Sequence, residues 1–482
     1  MATVARALAI DVALLWLTAT LAVRVLEAAT GQLGGPLPSE RRYPGVLFWA
    51  LWFGLLAARA VSGLIVSQVL WWQQITTGRA FLLIAGVLVV VWLASPRWYA
   101  TAVSALRMGV LLVGFCMFWA LPTLVAAGFV HQPWDQVEFR KPVPVATAPH
   151  RRIVWLLFDE MSYDQVFVHR WPGLELPNLD GLREQSVTLS EVRPDGYFTE
   201  DVIPSLLLGE PIDEVRGTWS GWMLYRSGKH APWQRFDGGQ TLFADAERQG
   251  WTTGAMGAYN PYCRILQDQL DFCWMDLPPL PDHFSRDKST LENIVAPLAA
   301  NWKRVFQPGA ARHAQTGPSL LEELSAVREG DALIGDAAID LCFVHLPLPH
   351  PPGHYNRATG RIVEGGSYID NLALSDRILG RMLADIAASG AAERTTVILS
   401  SDHSWRVGLW RHSFGWTRED ELASGHGHFD PRPMLMVRFP GETAPLEIGT
   451  PVPLLGTHNL IEQMLAGGIT DPQQLEAWAA KQ

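Results

Sequence analysis

Charged residues are scarce in this sequence, and the shortage is concentrated in its first part. They make up 18% of the 482 residues, and roughly the first 130 positions contain few of them. No basic run and no patch of Arg with aromatic residues occurs, which argues against a nucleic-acid partner. At this length we expect two or three structural units, with most of the net charge of −10 in the later part of the chain.

Four apolar segments predict a transmembrane domain over residues 1–131. Three are long enough to cross a bilayer core of about 30 Å as helices, and the third in order is marginal. A buried helical bundle is the disfavoured alternative, because runs such as FLLIAGVLVVVWLA leave no polar face. Asp11 interrupts the first segment and further spans follow, so this segment is not a cleavable signal peptide. The predicted helices cover about residues 7–29, 47–71, 80–94 and 103–129.

Basic residues in the predicted loops weakly favour one orientation. Loops carrying Arg41, Arg42 and Arg97 would face the cytoplasm under the positive-inside rule. The protein is then expected to be a multi-pass inner-membrane protein whose C-terminal domain faces the periplasm or the cell exterior. The Pro-rich segment 132–150 is predicted to be an extended linker to that domain.

Two of the four cysteines predict a disulfide. Cys263 and Cys273 flank the short polar segment of CRILQDQLDFC, and a bond between them would close this loop. Such a bond indicates an oxidising compartment, in agreement with the favoured orientation. The alternative is a pair of free thiols in a cytosolic domain. Cys116 and Cys342 lie in apolar segments and are expected to be inert.

From residue 151 onward, short apolar runs alternate with segments of helical periodicity. The runs predict strands over residues 153–158, 252–257, 340–346, 395–400 and 433–439, and helices are predicted over 177–185 and 368–388. Apolar strands separated by helices predict an α/β sandwich with a largely parallel central sheet for a catalytic domain over 151–482. In such sheets the chemistry gathers beyond the carboxyl ends of the strands.

Two predicted strands end in residues that can bind a cation. Asp159 and Glu160 follow the first strand, and Asp402 and His403 follow the fourth. Carboxylates with one imidazole suit Zn²⁺ or Mn²⁺. Either motif alone is weak evidence, because acidic residues after strands often cap the next helix.

Between these motifs, Thr199 lies at a predicted helix start. A hydroxyl there can act as a nucleophile if a metal lowers its pKa and the helix dipole favours the attacked anion. The alternative is that Thr199 simply caps the helix, with Glu200 and Asp201 in its first turn.

The order of these motifs resembles the sulfatase-like branch of the alkaline phosphatase superfamily. The resemblance covers about residues 151–439 and rests on a strand ending in Asp, PNLDGLREQSVTL, a hydroxyl ahead of PSLLLG, and TTVILSSDHS. Members that combine membrane spans with such a domain include lipoteichoic acid synthases and lipid A phosphoethanolamine transferases. The resemblance therefore implies a membrane-anchored enzyme that acts on phosphate or sulfate esters.

The resemblance also implies a metal and its ligands. The cofactor would be a divalent cation, Zn²⁺ foremost with Mn²⁺ or Ca²⁺ as alternatives, in one or two sites. A last ligand is expected before the final core strand, where spacing slightly favours His426 over His428. The full implied set is Asp159, Thr199, Asp402, His403 and His426 (or His428).

Threonine is the nucleophile that this pattern implies. Thr199 lies five residues before Pro204, as in the phosphoethanolamine transferases. Classical sulfatases carry a cysteine, converted to formylglycine, two residues before that proline. Val202 occupies this position here, which disfavours a formylglycine enzyme.

Four further residues are candidate substrate-binding groups. His350 best matches a family histidine that binds the anionic ester or a second metal, and His354 is an open case. His345 is expected only to hydrogen-bond the loop backbone. Arg406 would suit a phosphate, with an exposed loop position as the alternative. Glu160 is a further ligand or, preferably, an acid that supports the ligands.

The favoured function is transfer of a phospho-substituent from a membrane lipid to an envelope acceptor such as a glycan. The same site could instead hydrolyse a phosphate or sulfate ester. A hypothesis of another class is a non-catalytic envelope receptor or scaffold that kept the fold.

Overall fold

A computed structural model describes residues 10, 138–142, 151–217, 223–275, 289–295, 317–413, 415–441 and 444–482. The chain divides into two units, residues 1–131 with 279–317 and residues 132–278 with 318–482. Nearly all described residues belong to the second unit. Apart from Ile10, the four predicted membrane spans lie outside the described residues, and within the described ranges no helix has the length and apolar character needed to cross a membrane.

The second unit is built from short strands and helices that alternate along the chain. Its strands are β1 (Glu138–Arg140), β2 (Arg152–Phe158), β3 (Val187–Leu189), β4 (Val192–Arg193), β5 (Glu214–Gly217), β6 (Met223–Arg226), β7 (Gln234–Arg235), β8 (Thr253–Gly257), β9 (Phe272–Met275), β10 (Leu341–Leu346), β11 (Gly353–Asn356), β12 (Arg361–Gly366), β13 (Thr395–Ser400), β14 (Leu435–Arg438), β15 (Leu446–Ile448) and β16 (Val452–Pro453). Its helices are α1 (Pro177–Arg183), α2 (Thr199–Leu208), α3 (Leu242–Arg248), α4 (Tyr262–Ile265), α5 (Gly317–Gly335), α6 (Tyr368–Ala388), α7 (Val407–Trp410), α8 (Arg418–Ala423), α9 (Gly456–Leu465) and α10 (Pro472–Ala479).

A nine-stranded sheet forms the centre, in the order β1-β9-β8-β10-β2-β13-β14-β3-β15. The five strands from β9 to β13 in this order are mutually parallel, whereas β1 and β14 run antiparallel to their neighbours. The predicted α/β fold with a largely parallel sheet is therefore confirmed. Parallel strands end at one edge, so the residues that follow β2, β10 and β13 are neighbours there.

The central strand β2 shows why the sheet is buried on both faces. Trp155 and Leu157 pack into the hydrophobic core on one side, and Val154 and Leu156 pack into the core on the other. Successive side chains of a strand point to opposite faces, so a continuous apolar run fits only between two layers. Each fully buried Leu contributes roughly 1.5–3 kcal/mol relative to an exposed one.

The helix α6 begins and ends where its periodicity predicts. Ser367 caps it, accepting a hydrogen bond from the Asp370 backbone, while the Asp370 side chain bonds back to Ser367 in a capping box. Further along α6, the Asp376 carboxylate accepts hydrogen bonds from the backbone amides of Asn178 and Leu179 at 3.0 and 2.8 Å. This contact satisfies the first turn of α1, which ends two residues earlier than predicted.

Part of the predicted linker belongs to the sheet. Residues Glu138–Arg140 pair antiparallel with β9, and the half-buried Phe139 packs against the core. Next to this edge, Cys263 and Cys273 form the predicted disulfide, which joins α4 to β9. The free thiol of Cys342 is buried in β10, as expected.

Candidate active site at the carboxyl ends of the strands

Five side chains meet at the strand ends, and we call them the strand-end cluster: Asp159, Glu160, Thr199, Asp402 and His403. All five are buried, the most exposed being Thr199 at 5%. The neighbouring parallel strands β2 and β13 deliver the acids and the imidazole, and the N-terminus of α2 delivers the hydroxyl. The Oγ1 atom of Thr199 lies 3.2 Å from Nε2 of His403, although 204 residues separate them.

The imidazole of His403 is held in one orientation. Its Nδ1 lies 3.1 Å from the carbonyl oxygen of Ser404, which can only accept a hydrogen bond, so Nδ1 carries a proton. Its Nε2 faces the cluster, 3.1 Å from Oδ2 of Asp402 and 3.6 Å from Oδ1 of Asp159. In the neutral ring this nitrogen therefore presents its lone pair to two carboxylates.

The two carboxylates are held differently. Oδ1 of Asp402 accepts backbone amide hydrogen bonds from Glu160 and His403 at 3.2 and 2.9 Å, which leaves Oδ2 facing the cluster. Asp159 is fully buried, and neither of its oxygens accepts a hydrogen bond from the described residues. A buried carboxylate without hydrogen bonds is costly unless a cation or a proton compensates it.

The pKa values of the two carboxyl groups and of the His403 imidazole also indicate that this cluster lacks positive charge. Burial, reinforced by Asp402, raises the pKa of Asp159 well above its ordinary value. Although burial opposes ionisation, His403 lowers the pKa of Asp402. Burial also opposes the charged imidazole, yet Asp402 and Asp159 raise the pKa of His403 to about 9. The proton on His403 thus supplies the positive charge that the two carboxylates require.

These residues fit a divalent cation. One ligand atom each from Asp159, Glu160 and His403 lies within 4.8 Å of the other two, and Oδ2 of Asp402 points to the same place. A cation would take the place of the His403 proton and compensate Asp159. Carboxylate oxygens with one imidazole nitrogen are ligands that Zn²⁺ and Mn²⁺ accept.

Glu160 is engaged on its other side by Arg406. Its carboxylate pairs with the Arg406 guanidinium and accepts hydrogen bonds from Nε1 of Trp410 at 2.8 and 3.0 Å. The Arg406 Nη1 atom also donates to the Tyr197 carbonyl at 3.3 Å. Arg406 is 5% exposed, so the alternative of an exposed loop position is wrong for this residue. Arg406 therefore connects Glu160, at the end of β2, with Tyr197, in the segment that precedes Thr199.

Of the predicted substrate-binding histidines, the structure brings His350 to the cluster. Its Nε2 lies 3.9 Å from Glu160, and its ring stands edge-on to Trp410 with centroids 4.9 Å apart. Burial lowers the pKa of His350 despite the Glu160 charge. His354 is buried in β11, where its backbone amide donates to Asn371 at 2.9 Å.

His345 makes a side-chain contact that the sequence did not predict. Its Nδ1 lies 2.7 Å from the Tyr262 hydroxyl, in addition to the expected backbone contact, here with Ala258. Burial lowers the pKa of His345 to about 4, so the ring is neutral. Nothing in the local sequence marks Tyr262 or Trp410 as partners of these residues, because both contacts join distant segments.

Comparisons with known proteins give distant structural similarity and no sequence match. No protein-family model matches the chain, and no curated protein matches it significantly. Structural neighbours include a protein named Ps i-CgsB in complex with k-i-k-neocarrahexaose, at 15% identity and a TM-score of 0.44, covering 69% of this chain and 76% of that one. The PsFucS1 sulfatase from Pseudoalteromonas sp. has 14% identity and a TM-score of 0.41, covering 66% and 68%.

A protein in the alkaline phosphatase superfamily from Vibrio parahaemolyticus has 14% identity and a TM-score of 0.39, covering 68% of this chain and 69% of that one. Two of these neighbours are, by name, a sulfatase and a member of the alkaline phosphatase superfamily. With identities this low, they are too distant to assign a family or an activity to this chain.

The structure does not bring the last predicted histidine ligand to the strand-end cluster. His426 has a left-handed backbone (φ 65°) between two glycines that also have positive φ, after α8. This turn directs its side chain outward, where it is 71% exposed and lies 3.6 Å from Glu421. Burial opposes ionisation of Asp430, yet its hydrogen bonds to Arg432, helped by nearby His428, lower the pKa of that carboxyl. Among the described residues, neither histidine belongs to the group of ligand atoms at the strand ends.

Proposed function

We propose that this protein is a membrane-anchored, metal-dependent transferase that moves a phospho-substituent from a lipid to an envelope acceptor through Thr199. The observation that carries the proposal is the position of the Thr199 hydroxyl at a helix N-terminus, 3.2 Å from Nε2 of His403, an atom that also lies 3.6 Å from the buried carboxylate of Asp159. A candidate nucleophile and a cation site in one buried cluster suit ester chemistry.

In the first step, Oγ1 of Thr199 forms a bond to phosphorus while the phosphorus–oxygen bond to the lipid breaks. The Thr199 hydroxyl gives up its proton in this step, and the departing lipid oxygen takes up one proton, so no net proton is gained or lost. An acceptor hydroxyl then forms a bond to phosphorus while the bond from phosphorus to Oγ1 of Thr199 breaks, and the proton that the acceptor loses is balanced by the one that Thr199 regains. A divalent cation held by Asp159, Asp402 and His403 would lower the hydroxyl pKa and offset the charge of the transferring group.

The N-terminus of α2 and the guanidinium of Arg406 lie on the same side of the strand-end cluster. The backbone amides in the first turn of α2 receive no side-chain cap, so the helix N-terminus can interact with an anion. Arg406 lies beside this turn, with its guanidinium 5.9 and 5.8 Å from the ring centroids of Tyr197 and Phe198. Arg406 acts as a positioning residue, because its hydrogen bonds to Glu160 and to the Tyr197 carbonyl hold the start of α2 in place.

Exposed aromatic residues beside Thr199 favour a large substrate. Tyr197 and Phe198 are 39% and 42% exposed, and the ring of Phe429, 40% exposed, stands edge-on to Tyr197. Aromatic rings pack well against acyl chains and sugar faces. This arrangement supports a lipid donor and a glycan acceptor over a small phosphate ester.

The membrane location remains part of the proposal. The apolar segments within residues 1–131 favour anchoring in the inner membrane, and the disulfide between Cys263 and Cys273 supports a periplasmic or extracellular domain. Anchoring would keep the cluster near a lipid donor.

Mass spectrometry of the covalent intermediate tests the proposal. The full chain is incubated with Zn²⁺ and vesicles of phosphatidylethanolamine and phosphatidylglycerol, and peptides containing Thr199 are analysed. We expect an adduct whose mass identifies the transferred group in the wild type and in Thr450→Ala, an exposed control. The Thr199→Ala variant should carry none.

Other outcomes separate the alternatives. Turnover of lipid with Thr199 unmodified would contradict the threonine mechanism. Release of the free headgroup phosphate to water, with no acceptor modified, would indicate a hydrolase. A chain that binds no divalent metal and behaves identically as Thr199→Ala would indicate a receptor or scaffold.

A further inference from the structure

A second set of metal-binding side chains lies away from the strand-end cluster, between two helices. One ligand atom each of Asp245, His458 and Glu462 lies within 4.8 Å of the other two. Asp245 belongs to α3, and His458 and Glu462 are four residues apart on α9, so they share one helix face. We propose that this helix-face trio is a separate divalent-cation site that fastens α3 to α9.

The histidine of the trio is oriented for a cation. Its Nδ1 lies 2.9 Å from the carbonyl oxygen of Leu206, at the C-terminal end of α2. A carbonyl only accepts, so Nδ1 carries the proton, and Nε2 of the neutral ring presents its lone pair 3.4 Å from Oε1 of Glu462. Metal-binding histidines are typically held in this way, with the other ring nitrogen donating to a backbone carbonyl.

The ring of His458 is also held in place. It is 8% exposed, and a Cβ atom added at Gly209 would lie 2.5 Å from its Cδ2 and 2.7 Å from its Nε2. Gly209 has a left-handed backbone (φ 74°) at the end of α2, which favours glycine. The close approach therefore leaves the ring little room to rotate away from the two carboxylates.

The two carboxylates remain reachable from solvent. The Asp245 side chain is 26% exposed and that of Glu462 is 37% exposed, so a hydrated cation has access. Arg248 pairs with Oδ1 of Asp245, which leaves Oδ2 for a ligand bond. One imidazole and two carboxylates suit Zn²⁺ or Mn²⁺, with water completing the coordination.

Occupancy of this site would support the helix that carries Thr199. His458 bonds to the last turn of α2, so a cation bound to it would join α2, α3 and α9. The expected effect is on stability and on the rigidity of α2. The proposal stands independently of the reaction assigned to the strand-end cluster.

Zn²⁺ stoichiometry of the full chain tests the proposal. Chain stripped with a chelator is re-equilibrated with Zn²⁺, and bound zinc is counted by elemental mass spectrometry for single and double variants. We expect Glu462→Gln and Asp245→Asn each to lose one ion per chain, because each variant removes a charged ligand. Glu247→Gln, an exposed acid on the same helix as Asp245, is the matched control and should keep it.

The variants also distinguish the two sites. Asp402→Asn should lose a different ion, and Asp402→Asn with Glu462→Gln should lose both. A thermal shift on adding Zn²⁺ provides a second readout, which Glu462→Gln should reduce and Glu247→Gln should not. Equal zinc content and equal shifts in Glu462→Gln and Glu247→Gln would overturn the proposal and leave a set of polar contacts between the two helices.

Discussion

The carboxylate of Glu160 and the guanidinium of Arg406 form a buried ion pair beside the candidate nucleophile. Glu160 is fully buried and Arg406 is 5% exposed. Removing one partner of such a pair leaves an uncompensated charge, which typically costs about 3–5 kcal/mol. We expect Arg406→Met to lower the free energy of unfolding by about that amount. The double variant Glu160→Gln with Arg406→Met should be less destabilised, because neither charge of this pair remains.

Denaturant unfolding of the four chains in this double-mutant cycle measures the coupling between the two residues. Arg183→Met is the matched control, because Arg183 and Glu447 form an exposed pair 2.9 Å apart. It should change the free energy of unfolding by about 1 kcal/mol or less. Additive single and double effects at Glu160 and Arg406 would show that the pair does not couple.

Asp159 gives a prediction about metal removal. In a chelator, Asp159→Asn should leave the melting temperature unchanged or raise it, because a buried carboxylate without hydrogen bonds is replaced by a neutral amide. The rise in melting temperature on adding Zn²⁺ should be strongly reduced in the same variant. Differential scanning fluorimetry with chelator and with Zn²⁺ measures both effects.

Asp376 is a control for Asp159, because it is a buried carboxylate that does accept hydrogen bonds. It accepts three hydrogen bonds from Asn178 and Leu179, so Asp376→Asn should destabilise the metal-free chain by about 1–3 kcal/mol. Its response to Zn²⁺ should be retained. A metal-free Asp159→Asn chain as destabilised as Asp376→Asn would contradict our account of Asp159.

We expect Asp201, in the first turn of α2, to make the free energy of unfolding depend on pH. Burial, together with the charges of Glu200, Asp213 and Glu214, raises the pKa of Asp201 from 3.8 to about 6. The folded state therefore binds more protons than the unfolded state between these values, and stability falls as pH rises from about 4 to about 6. Above pH 6 the full penalty is present.

Asp201→Asn should accordingly stabilise the chain at pH 7.5 and have no effect near pH 4. We expect about 1 kcal/mol, well below the full conversion of the pKa shift, because solvent screens this half-buried carboxylate and the helix N-terminus favours its charge. Thermal unfolding across this pH range measures the difference. Glu476→Gln, an exposed acid on α10, should show no such pH dependence, and a constant effect of Asp201→Asn at all pH values would rule out titration as its cause.

The disulfide gives a prediction on stability. Replacing Cys263 and Cys273 with Ser should lower the free energy of unfolding by about 2–4 kcal/mol, because the bond restricts the unfolded chain. Reductant should lower the melting temperature of the wild type and of Cys342→Ala equally and leave the double variant unchanged. Non-reducing peptide mapping of chain purified from cells measures whether the bond forms there, and two free thiols would contradict it.

The sequence alone determined the framework and the central residues of the candidate site. Apolar runs predicted β2, β8, β10, β13 and β14 of the nine-stranded sheet, because a strand buried on both faces is mostly apolar. The same pattern placed Asp159, Asp402 and His403 together, since parallel strands end at one edge of a sheet. The position of Thr199 at a helix start marked its hydroxyl as a candidate, and the resemblance to the sulfatase-like proteins implied its role as nucleophile.

Only the tertiary structure decided which side chains pair around these residues. Glu160 pairs with Arg406 and Trp410, His345 contacts Tyr262, and His426 points to solvent. These contacts depend on how loops of different segments meet and on local turns of positive φ, and neither follows a periodic pattern in the sequence. The contact of His458 with Leu206 could not be predicted from the sequence either, because these residues lie on different helices and are 252 positions apart in the chain.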